Sequence, residues 1–540
     1  MNILGIYIGG HDSNIAISVS GKVQYFKFER LSGVKHDQVQ LKEACKWVCK
    51  QYNFKPDVIV YSDGERNGLG KCTDEKELYK KLPNNIFYTT VKNKLKEYCK
   101  TDTDEIYILD HHFTHALSNW PIVDTEKQDF GVVIDGRGDH EDRFTIFKNP
   151  YEIIQKNLIE EGVYTKPENI LFKSSEFNAP SILRGIGGLM GLKGDPLDIP
   201  GKIMGAYAYG TPDMKFVNHY LNQLKDPFNY FNFNPKDEYK GFENAMKLDQ
   251  YCSPPYDLTN PPFINLLSSV HYILGEIILK IFQKHCQKDS IITYTGGVTQ
   301  NTVWNEILYN NFNNLYLPPH CYDGGMSLGC LEFARILFDL PKLTIDNFPY
   351  IQADKVLELP EESTIDKIVD LLVEGKIIGW MQGSGEVGPR ALGNRSILMH
   401  PGIKNGKNII NAKVKHREYW RPFAPSVLEE HASEWFEIKE PSPYMLRAVK
   451  AKKSKSKEIK SVVHEDLTSR IQTVNKDQNP LYYKLINKFY TKTGIPLLLN
   501  TSLNAGGSPI FAHMQQVEQF FNDSNVNIDA ICVGNKLMIK

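Results

Sequence analysis

Short apolar runs bounded by Gly, Asp and Ser fill the start of the chain. NILGIYI (2–8), NIAISVS (14–20) and VQYFKF (23–28) predict three strands, and Ser-Gly-Lys at 20–22 predicts a tight hairpin turn between the last two. A segment with helical period, LKEACKWVCKQY, and the apolar run DVIVYS come next. The chain therefore begins as a unit in which strands and helices alternate.

A second set with the same order begins at FGVVIDG (130–136), where an apolar strand leads into a Gly/Asp turn and a returning strand, RFTIFKN. This repetition predicts an internal duplication of one β-rich unit. Farther along, FINLLSSVHYILGEIILKIFQKHC (263–286) predicts a long amphipathic helix that leads into the strand IITYT and a turn at Gly296 and Gly297. Such alternation is typical of α/β domains.

Pro-containing sequence between residues 338 and 362 interrupts this periodicity, and a new helix-strand pattern starts at STIDKIVDLLVEGKIIGWM. We therefore predict two domains, 1–345 and 346–540. The run at 451–466, AKKSKSKEIKSVVHED, is charged and poor in aromatic residues. It predicts a solvated, mobile loop, with a functional lid as the alternative.

Composition narrows the class of protein. Lys and Arg together number 63 against 64 Asp and Glu, so no global charge attracts the chain to nucleic acid or to an anionic membrane. The nine cysteines, Cys72 among them, are odd in number and scattered, which indicates reduced thiols in a cytoplasmic protein. We expect no signal peptide, because MNILGIYIGG lacks a basic start, and no membrane span, because no stretch has the roughly 20 apolar residues that one requires.

The sequence LDHHFTHALSNW places three histidines after an apolar strand. His111 and His115 are four residues apart, which puts both rings on one side of a helix, whereas His112 points elsewhere. Two imidazoles with carboxylates at turns, of which Asp135 and Asp323 are available, suit iron(II), manganese or zinc. The alternative is structural: the preceding aspartate caps a helix, and one histidine is hydrogen-bonded in a core. The segment lacks the glutamate of HExxH, which argues against metalloprotease chemistry.

Glycine-containing turns accompany several predicted strands: GGHDS, DGRGDHED, TGGVTQN and DGGMSLG. Backbone amides in such turns form anion-binding concavities. Each turn alone is more typical of an ordinary hairpin. Together they resemble the nucleotide-contacting loops of the actin, sugar-kinase and Hsp70-like superfamily.

The segment from Lys376 to Arg421 is locally basic, with nine Lys and Arg against two Glu. Interleaved Gly and Asn residues expose backbone amides, so this composition favours a compact pocket for several phosphates. RNA binding and a solvated basic face are the competing interpretations. Few aromatic residues accompany the basic ones, which disfavours RNA.

In chain order, these segments are similar to motifs of the NodU/CmcH family of O-carbamoyltransferases. The resemblance spans nearly the whole chain and is carried by GGHDSNIAI, HHFTHA, VVIDGRGD, GKIMGAYAYG, GGVTQN, DGGMSLG, GWMQGSGEVGPRALGNRSIL, INAKVKHREYWRPFAPSVLEE, SPYM, SRIQTVN and GIPLLLNTSLNAGGSPI. It implies an N-terminal actin-like domain, a duplicated RNase H-like fold similar to tRNA threonylcarbamoyl-transfer proteins. It also implies a C-terminal YrdC-like α/β domain.

The resemblance further implies a two-stage reaction. Carbamoyl phosphate and ATP would form carbamoyl adenylate in the C-terminal pocket, and the carbamoyl group would then pass to an acceptor hydroxyl in the N-terminal site. His11, Arg390, Lys415 and Ser502 would have catalytic roles. We assign His11 as the general base, and the alternative is a histidine that only hydrogen-bonds phosphate.

The matching motifs supply the remaining roles. The pocket for carbamoyl phosphate and ATP would be formed by Arg390, Arg395, Lys415, Arg421, Met445, Arg470, Ser502 and Asn504. The nucleotide in the N-terminal site would contact Asp12, Lys202, Gly296, Gly297 and Asn301. A divalent ion, iron(II) foremost, would be held by His111, His115, Asp135 and Asp323.

Two features depart from the family pattern. Ser508 stands where many relatives have an acidic residue, and Asp139, His140, Glu141 and Asp142 offer additional ligands or acceptor contacts.

Two other functions stay open: an actin-like small-molecule kinase, and a non-enzymatic nucleotide- or RNA-binding module. The sequence does not distinguish a sugar, a small molecule or a modified nucleotide as the acceptor. Family members commonly pair, which allows a homodimer.

Overall fold

The computed structural model describes residues 1–62, 78–82, 85–136, 138–139, 141–156, 167–223, 252–352 and 357–540. Of the positions singled out above, Cys72 and His140 lie outside these ranges. Within them, the chain is organised around three mixed β-sheets with helices packed against them.

The first sheet contains β1 (Asn2–Tyr7), β2 (Asn14–Val19), β3 (Lys22–Lys27), β4 (Val58–Ser62), β5 (Tyr79–Lys81) and β6 (Ile106–Leu109). Its order is β3-β2-β1-β4-β6-β5, with β1 antiparallel to β2 and parallel to β4. The three predicted N-terminal strands are confirmed, although Phe28 begins a short helix instead of ending β3. Turns at Ser20 and Gly21 form the predicted hairpin.

The second sheet contains β7 (Phe130–Ile134), β8 (Phe144–Lys148), β9 (Ile170–Ser174), β10 (Ile291–Thr295) and β11 (Asn314–Tyr316). Its order, β11-β10-β7-β8-β9, repeats the plan of the first sheet. In both, the first strand is central, an antiparallel hairpin lies on one side and parallel strands lie on the other. The predicted internal duplication is therefore confirmed by strand order.

The third sheet contains β12 (Ile378–Met381), β13 (Arg395–Met399), β14 (Ala424–Leu428), β15 (Arg447–Lys450), β16 (Thr468–Val474), β17 (Leu497–Ser502), β18 (Ala530–Val533) and β19 (Lys536–Ile539). Its order is β15-β16-β14-β17-β13-β12-β18-β19, and its core includes Trp380 and Trp435. Single backbone bridges join Thr344 and Gln352 to β3, and a further bridge joins Gln352 to Gly385. The chain thus passes from the first sheet to the third near the predicted domain boundary.

The α-helices are α1 (Phe28–Ser32), α2 (Leu41–Gln51), α3 (Ile86–Cys99), α4 (His111–Leu117), α5 (Pro150–Lys156), α6 (Ala179–Leu189), α7 (Ile199–Ala206), α8 (Met214–Gln223), α9 (Pro261–His285), α10 (Thr302–Tyr309), α11 (Met326–Leu337), α12 (Glu362–Val373), α13 (Gly406–Ile410), α14 (Ala432–Trp435), α15 (Pro480–Thr493) and α16 (Met514–Asn522). The predicted helices α2, α9 and α12 are confirmed.

Helix α9 corrects one expectation from the sequence. Its 25 residues are long and apolar enough to cross a membrane by length and composition, although no such stretch was expected. However, 72% of its most apolar 18-residue window is buried inside the protein. The apolar side chains pack in the core of the second sheet, which accounts for the composition of this helix.

The prediction of a solvated loop at 451–466 is wrong for its apolar residues. Ile459 and Val462 are buried in the core of the third sheet, and the Ser461 amide donates to the carbonyl of Pro401. Lys453, Lys457 and Lys460 are exposed, while the apolar side chains anchor the segment. Average composition concealed this pattern, because the few apolar residues are outnumbered by charged ones.

Helix α11 approaches its neighbours through small residues. A Cβ at Gly329 would overlap the carbonyl oxygen of Thr114 in α4, and a Cβ at Gly5 in β1 would overlap that of Ser327. Backbones can come this close only where the side chain is absent. The two glycines therefore fix how α11 sits against β1 and α4.

We expect Gly329→Ala to destabilise the protein by about 1–3 kcal/mol, because the added methyl overpacks the contact between α11 and α4. Chemical denaturation monitored by circular dichroism measures this loss. Gly201→Ala is the matched control, since a Cβ at that helical position meets no atom within 4 Å. Equal stability of the two variants would contradict the proposed packing constraint.

Candidate metal centre and anion-binding cavity

Helix α4 places the histidine pair as its sequence predicts. Asp110 is the N-cap, and its Oδ1 accepts a hydrogen bond of 2.8 Å from the amide of Phe113. The helix then turns His111 and His115 toward the same side. His112 points away, and its Nδ1 lies 2.8 Å from Thr145 Oγ1.

Two carboxylates meet the paired imidazoles. His111 Nε2 lies 3.0 Å from Asp135 Oδ2, and His115 Nε2 lies 3.2 Å from Asp323 Oδ1. One donor atom from each of the four residues lies within 4.8 Å of the others, and all four residues are buried. Asp135 follows β7, whereas Asp323 lies on the turn that leads into α11.

Asn14 holds the Asp323 turn in place. Its Nδ2 donates to the Asp323 carbonyl at 2.9 Å, and its Oδ1 accepts from the amide of Ser327 at 3.0 Å. The hydroxyl of Tyr7 also donates to Asp323 Oδ2, at 2.5 Å. The β1-β2 hairpin of the first sheet thus orients a carboxylate that is distant in sequence.

The donor set fits a divalent transition-metal ion. It offers two imidazole nitrogens and two carboxylate oxygens, the mixture that iron(II), manganese and zinc accept. Burial alone would lower the pKa of His111, but Asp323 and Asp135 raise it well above its usual value. The carboxylates therefore attract a positive charge to this position, whether it is carried by protons or by a metal ion.

His11 lies between this cluster and a further carboxylate. Its Nδ1 is 2.9 Å from Asp12 Oδ2 and 3.6 Å from Asp323 Oδ2. Burial lowers its pKa, but Asp323 and Asp12 outweigh that effect and raise it to about 9. Without a metal ion the ring is thus protonated at neutral pH, whereas a general base must be neutral. Its role as a base stays a prediction.

A cavity of about 1460 Å³ connects the four-residue cluster with the C-terminal basic segment. His11, Asp135 and Asp323 line one part of its wall. The C-terminal part carries five cationic side chains: Arg390, Lys415, Arg417, Arg421 and Arg470. Two chemically different sites therefore share one cavity.

The C-terminal cations are concentrated with little internal neutralisation. The Nε atoms of Arg390 and Arg470 are buried and have no hydrogen-bond partner among the described residues. Burial lowers the pKa of Arg470, and the neighbouring Arg390, Arg417 and Arg421 lower it further. Glu418 is a nearby carboxylate, with its Oε2 3.6 Å from Arg421. Such an arrangement is strongly attractive to anions.

The Lys415 side chain is held by residues at the end of strand β17. Its Nζ donates to Asn504 Oδ1 at 2.5 Å, to Ser502 Oγ at 3.3 Å and to the carbonyl oxygens of both residues. The lysine ends a single π-helical turn, Asn411–Lys415, and π-turns occur frequently at functional sites. A Cβ at Gly506 would overlap the Lys415 carbonyl oxygen, so the glycine permits this approach.

Arg395 does not line the cavity, contrary to its predicted role. Its guanidinium donates to the carbonyl oxygens of Gln382 at 2.6 Å and Gly383 at 3.0 Å. Inward placement on β13 buries it, so it uses its donors on backbone oxygens. Arg417 is a cavity-lining cation that the sequence reasoning missed, although it lies in the same KHREYWR motif as Lys415 and Arg421.

Structural roles account for several residues expected to touch the nucleotide. Asn301 caps α10 with its side-chain oxygen, and its Nδ2 lies 3.0 Å from His271 Nε2. Gly296 has a φ of +93°, and a Cβ at this position would overlap the backbone of Ile134. The Gly297 amide donates to Asp135 Oδ1 at 2.9 Å. These residues shape the turn that supports Asp135. Their nucleotide contacts stay predictions.

Lys202 and Met445 both face the cavity. Lys202 Nζ lies 2.7 Å from Glu418 Oε1, so this lysine of α7 is joined to the C-terminal basic segment. Met445 is buried with a left-handed backbone, φ of +56°, which is uncommon for a residue with a Cβ.

The departures from the family pattern have separate explanations. Asp142 lies 2.9 Å from Lys173 Nζ, and Asp139 Oδ2 accepts from the amide of His111 at 3.2 Å. Neither belongs to the four-residue donor cluster. Glu141 and Ser508 line the cavity, where they can contact a bound substrate.

Two family models together match most of the chain. The family model described as Carbamoyltransferase N-terminus matches residues 2–331, and the one described as Carbamoyltransferase C-terminus matches residues 369–540. An uncharacterized protein of Methanocaldococcus jannaschii is 30% identical over 545 residues, which cover 91% of this chain and 99% of that protein. The chain therefore belongs to the carbamoyltransferase family.

Nodulation proteins are similar over shorter alignments. NolNO of Sinorhizobium fredii is 33% identical across 51% of this chain and 44% of its own length. NolO of Bradyrhizobium diazoefficiens is 32% identical across 51% of this chain and 54% of its own length. These alignments span about half of each nodulation protein.

Among solved structures, component A of (R)-2-hydroxyglutaryl-CoA dehydratase from Acidaminococcus fermentans is similar at a TM-score of 0.33. The match covers 62% of this chain and 99% of that chain, with 11% sequence identity.

If the four-residue cluster holds a metal ion, we expect His111→Ala to weaken Co²⁺ binding by more than about 100-fold, because even the loss of an outer-shell partner costs about 10–100-fold. Isothermal titration of metal-free protein with Co²⁺ measures the affinity. The matched control is His112→Ala, which removes a neighbouring buried imidazole outside the cluster. Similar losses in both variants, or no Co²⁺ binding by the unaltered protein, would argue against the site.

Proposed function

We propose that the protein is an ATP-dependent O-carbamoyltransferase that makes carbamoyl adenylate from carbamoyl phosphate and ATP, then transfers the carbamoyl group to an acceptor hydroxyl. The observation that carries this proposal is the shared cavity, which has a polycationic part and a histidine-carboxylate part. One chemical step requires several phosphates to be held. The other requires a separate site where the acceptor can react.

Carbamate is a poor electrophile, because its carbonyl carbon has no good leaving group. In the first stage, water would cleave the bond between the carbamate oxygen and phosphorus of carbamoyl phosphate and release inorganic phosphate. A carbamate oxygen would then attack the α-phosphorus of ATP and expel pyrophosphate. Negative charge builds on the phosphoryl oxygens during this step, and fixed cations stabilise it. Arg390, Lys415, Arg417, Arg421 and Arg470 would bind these oxygens.

In the second stage, the acceptor oxygen would attack the carbamoyl carbon and release AMP. His11, in its neutral form, would take the hydroxyl proton, and the turn that carries Asp12 and His11 would orient the adenylate. A divalent ion held by His111, His115, Asp135 and Asp323 would supply Lewis-acid stabilisation of the phosphate when bound.

We further propose that the duplicated sheets form an actin-like domain and that the third sheet belongs to a YrdC-like domain, with the division near residues 345 and 346. The shared strand order of the first two sheets supports the first assignment. The C-terminal family model, which begins at residue 369, supports a distinct second unit. Iron(II), manganese and zinc all suit the donor set of two imidazoles and two carboxylates.

Lys415→Ala should reduce carbamoyl phosphate-dependent exchange of labelled pyrophosphate into ATP by about 100-fold or more, because a fixed donor to the phosphoryl oxygens is lost. This exchange assay reports the first stage without any acceptor. Lys413→Ala is the matched control, since that lysine is exposed on the same turn. Comparable losses in the two variants would remove the assigned role of Lys415.

Nucleotide products separate this proposal from a small-molecule kinase. Formation of AMP and pyrophosphate supports adenylation, whereas ADP as the sole product would overturn it. The RNA-binding alternative is disfavoured because four of the basic residues between Lys376 and Arg421 line the cavity: Arg390, Lys415, Arg417 and Arg421.

A further inference from the structure

Asp12, Glu29 and His36 form a second cluster of metal-ligand groups. One donor atom from each residue lies within 4.8 Å of the others. The three residues come from the turn after β1, from α1 and from the loop that follows α1. Two carboxylates and an imidazole match the ligands of divalent transition-metal sites. The cluster therefore has the composition of a second metal centre beside the first.

An ammonium group already occupies this cluster. Lys27 Nζ lies 2.9 Å from Asp12 Oδ1 and 2.7 Å from Glu29 Oε1, and it also donates to the hydroxyl of Tyr322. The Lys27 residue is only 1% exposed. Burial alone would lower its pKa, but Asp12 and Glu29 raise it well above its usual value, so the side chain stays charged.

We propose that Lys27 is an internal cation that takes the place of a second divalent metal ion, so that this region combines one metal position with one permanent ammonium. The three partners of Nζ are fixed by different elements of the fold. An ammonium tethered to β3 cannot exchange with solvent, whereas a metal ion can. The arrangement therefore provides a constant positive charge at this position.

Lys27 has a positioning role through Asp12. Asp12 Oδ1 contacts Lys27, while Asp12 Oδ2 lies 2.9 Å from His11 Nδ1 and 3.1 Å from His36 Nδ1. The lysine thus holds the carboxylate that orients both rings. Tyr322, which accepts from Lys27, directly precedes Asp323 of the other cluster. The role of Lys27 in catalysis rests on the proposed transfer reaction. The effect of Lys27 on metal binding does not.

Removal of the ammonium should expose the second set of ligands. We expect Lys27→Ala and Lys27→Ser to bind about one more Co²⁺ per chain than the unaltered protein, as measured by equilibrium dialysis and elemental mass spectrometry. Lys27→Arg keeps the charge and should add none. Lys27→Ala combined with Glu29→Gln should also add none, because a ligand is lost.

The difference in Co²⁺ count keeps this inference separate from the proposed function. If the unaltered protein bound no Co²⁺ and Lys27→Ala bound one, the second cluster would be supported while the first failed. A folded Lys27→Ala protein without an additional ion would overturn the inference, as would an additional ion that survives Glu29→Gln. Should both neutral variants unfold, recovery of circular dichroism on addition of Co²⁺ would support it, and failure to recover would overturn it.

Discussion

The candidate metal cluster depends on the close contact between helices α11 and α4. His115 and Asp323 are 208 positions apart, and the absence of a side chain at Gly329 allows the two backbones to meet. Asn14 adds a polar clamp, since it bonds to the Asp323 carbonyl and to the Ser327 amide. Because each contact is between backbone or buried groups, small displacements would separate donors that must converge.

The cavity combines two electrostatic environments that suit successive steps. Its C-terminal part has several half-buried guanidinium groups and few carboxylates, so it favours polyphosphate. Its N-terminal part balances carboxylates against imidazoles and Lys27, so it is closer to neutral. The proposed anionic intermediate, carbamoyl adenylate, would be held most strongly in the cationic C-terminal part of the cavity, where it would form. Transfer would then require an additional attraction at the other site, which a metal ion on Asp135 and Asp323 would provide.

Much of the fold was predictable from sequence because its signals are local. Apolar runs and turn residues gave the strands of the first sheet, and helical period gave α2, α9 and α12. The i, i+4 spacing also gave the orientation of His111 and His115. Their carboxylate partners were assigned through family resemblance, since no local pattern shows that Asp323 folds back onto α4.

Several placements depend on tertiary structure that single motifs do not reveal. Arg395 lies on a buried strand and bonds to carbonyl oxygens, whereas Arg417 in the neighbouring motif faces the cavity. Lys27 lies in the ordinary strand sequence VQYFKF, and only tertiary structure brings Asp12 and Glu29 to its ammonium. The segment at 451–466 is anchored by Ile459 and Val462, which its highly charged average composition does not indicate.

The most direct test of the two-stage chemistry follows one oxygen atom. Protein supplied with ATP and carbamoyl phosphate labelled with ¹⁸O in the carbonyl group should yield AMP of which part carries ¹⁸O. Either of the two equivalent carbamate oxygens can bond to phosphorus, and that oxygen stays with AMP when an acceptor hydroxyl or water attacks the carbamoyl carbon. Mass spectrometry of the nucleotide detects the label. AMP without ¹⁸O, or ADP in its place, would contradict the account.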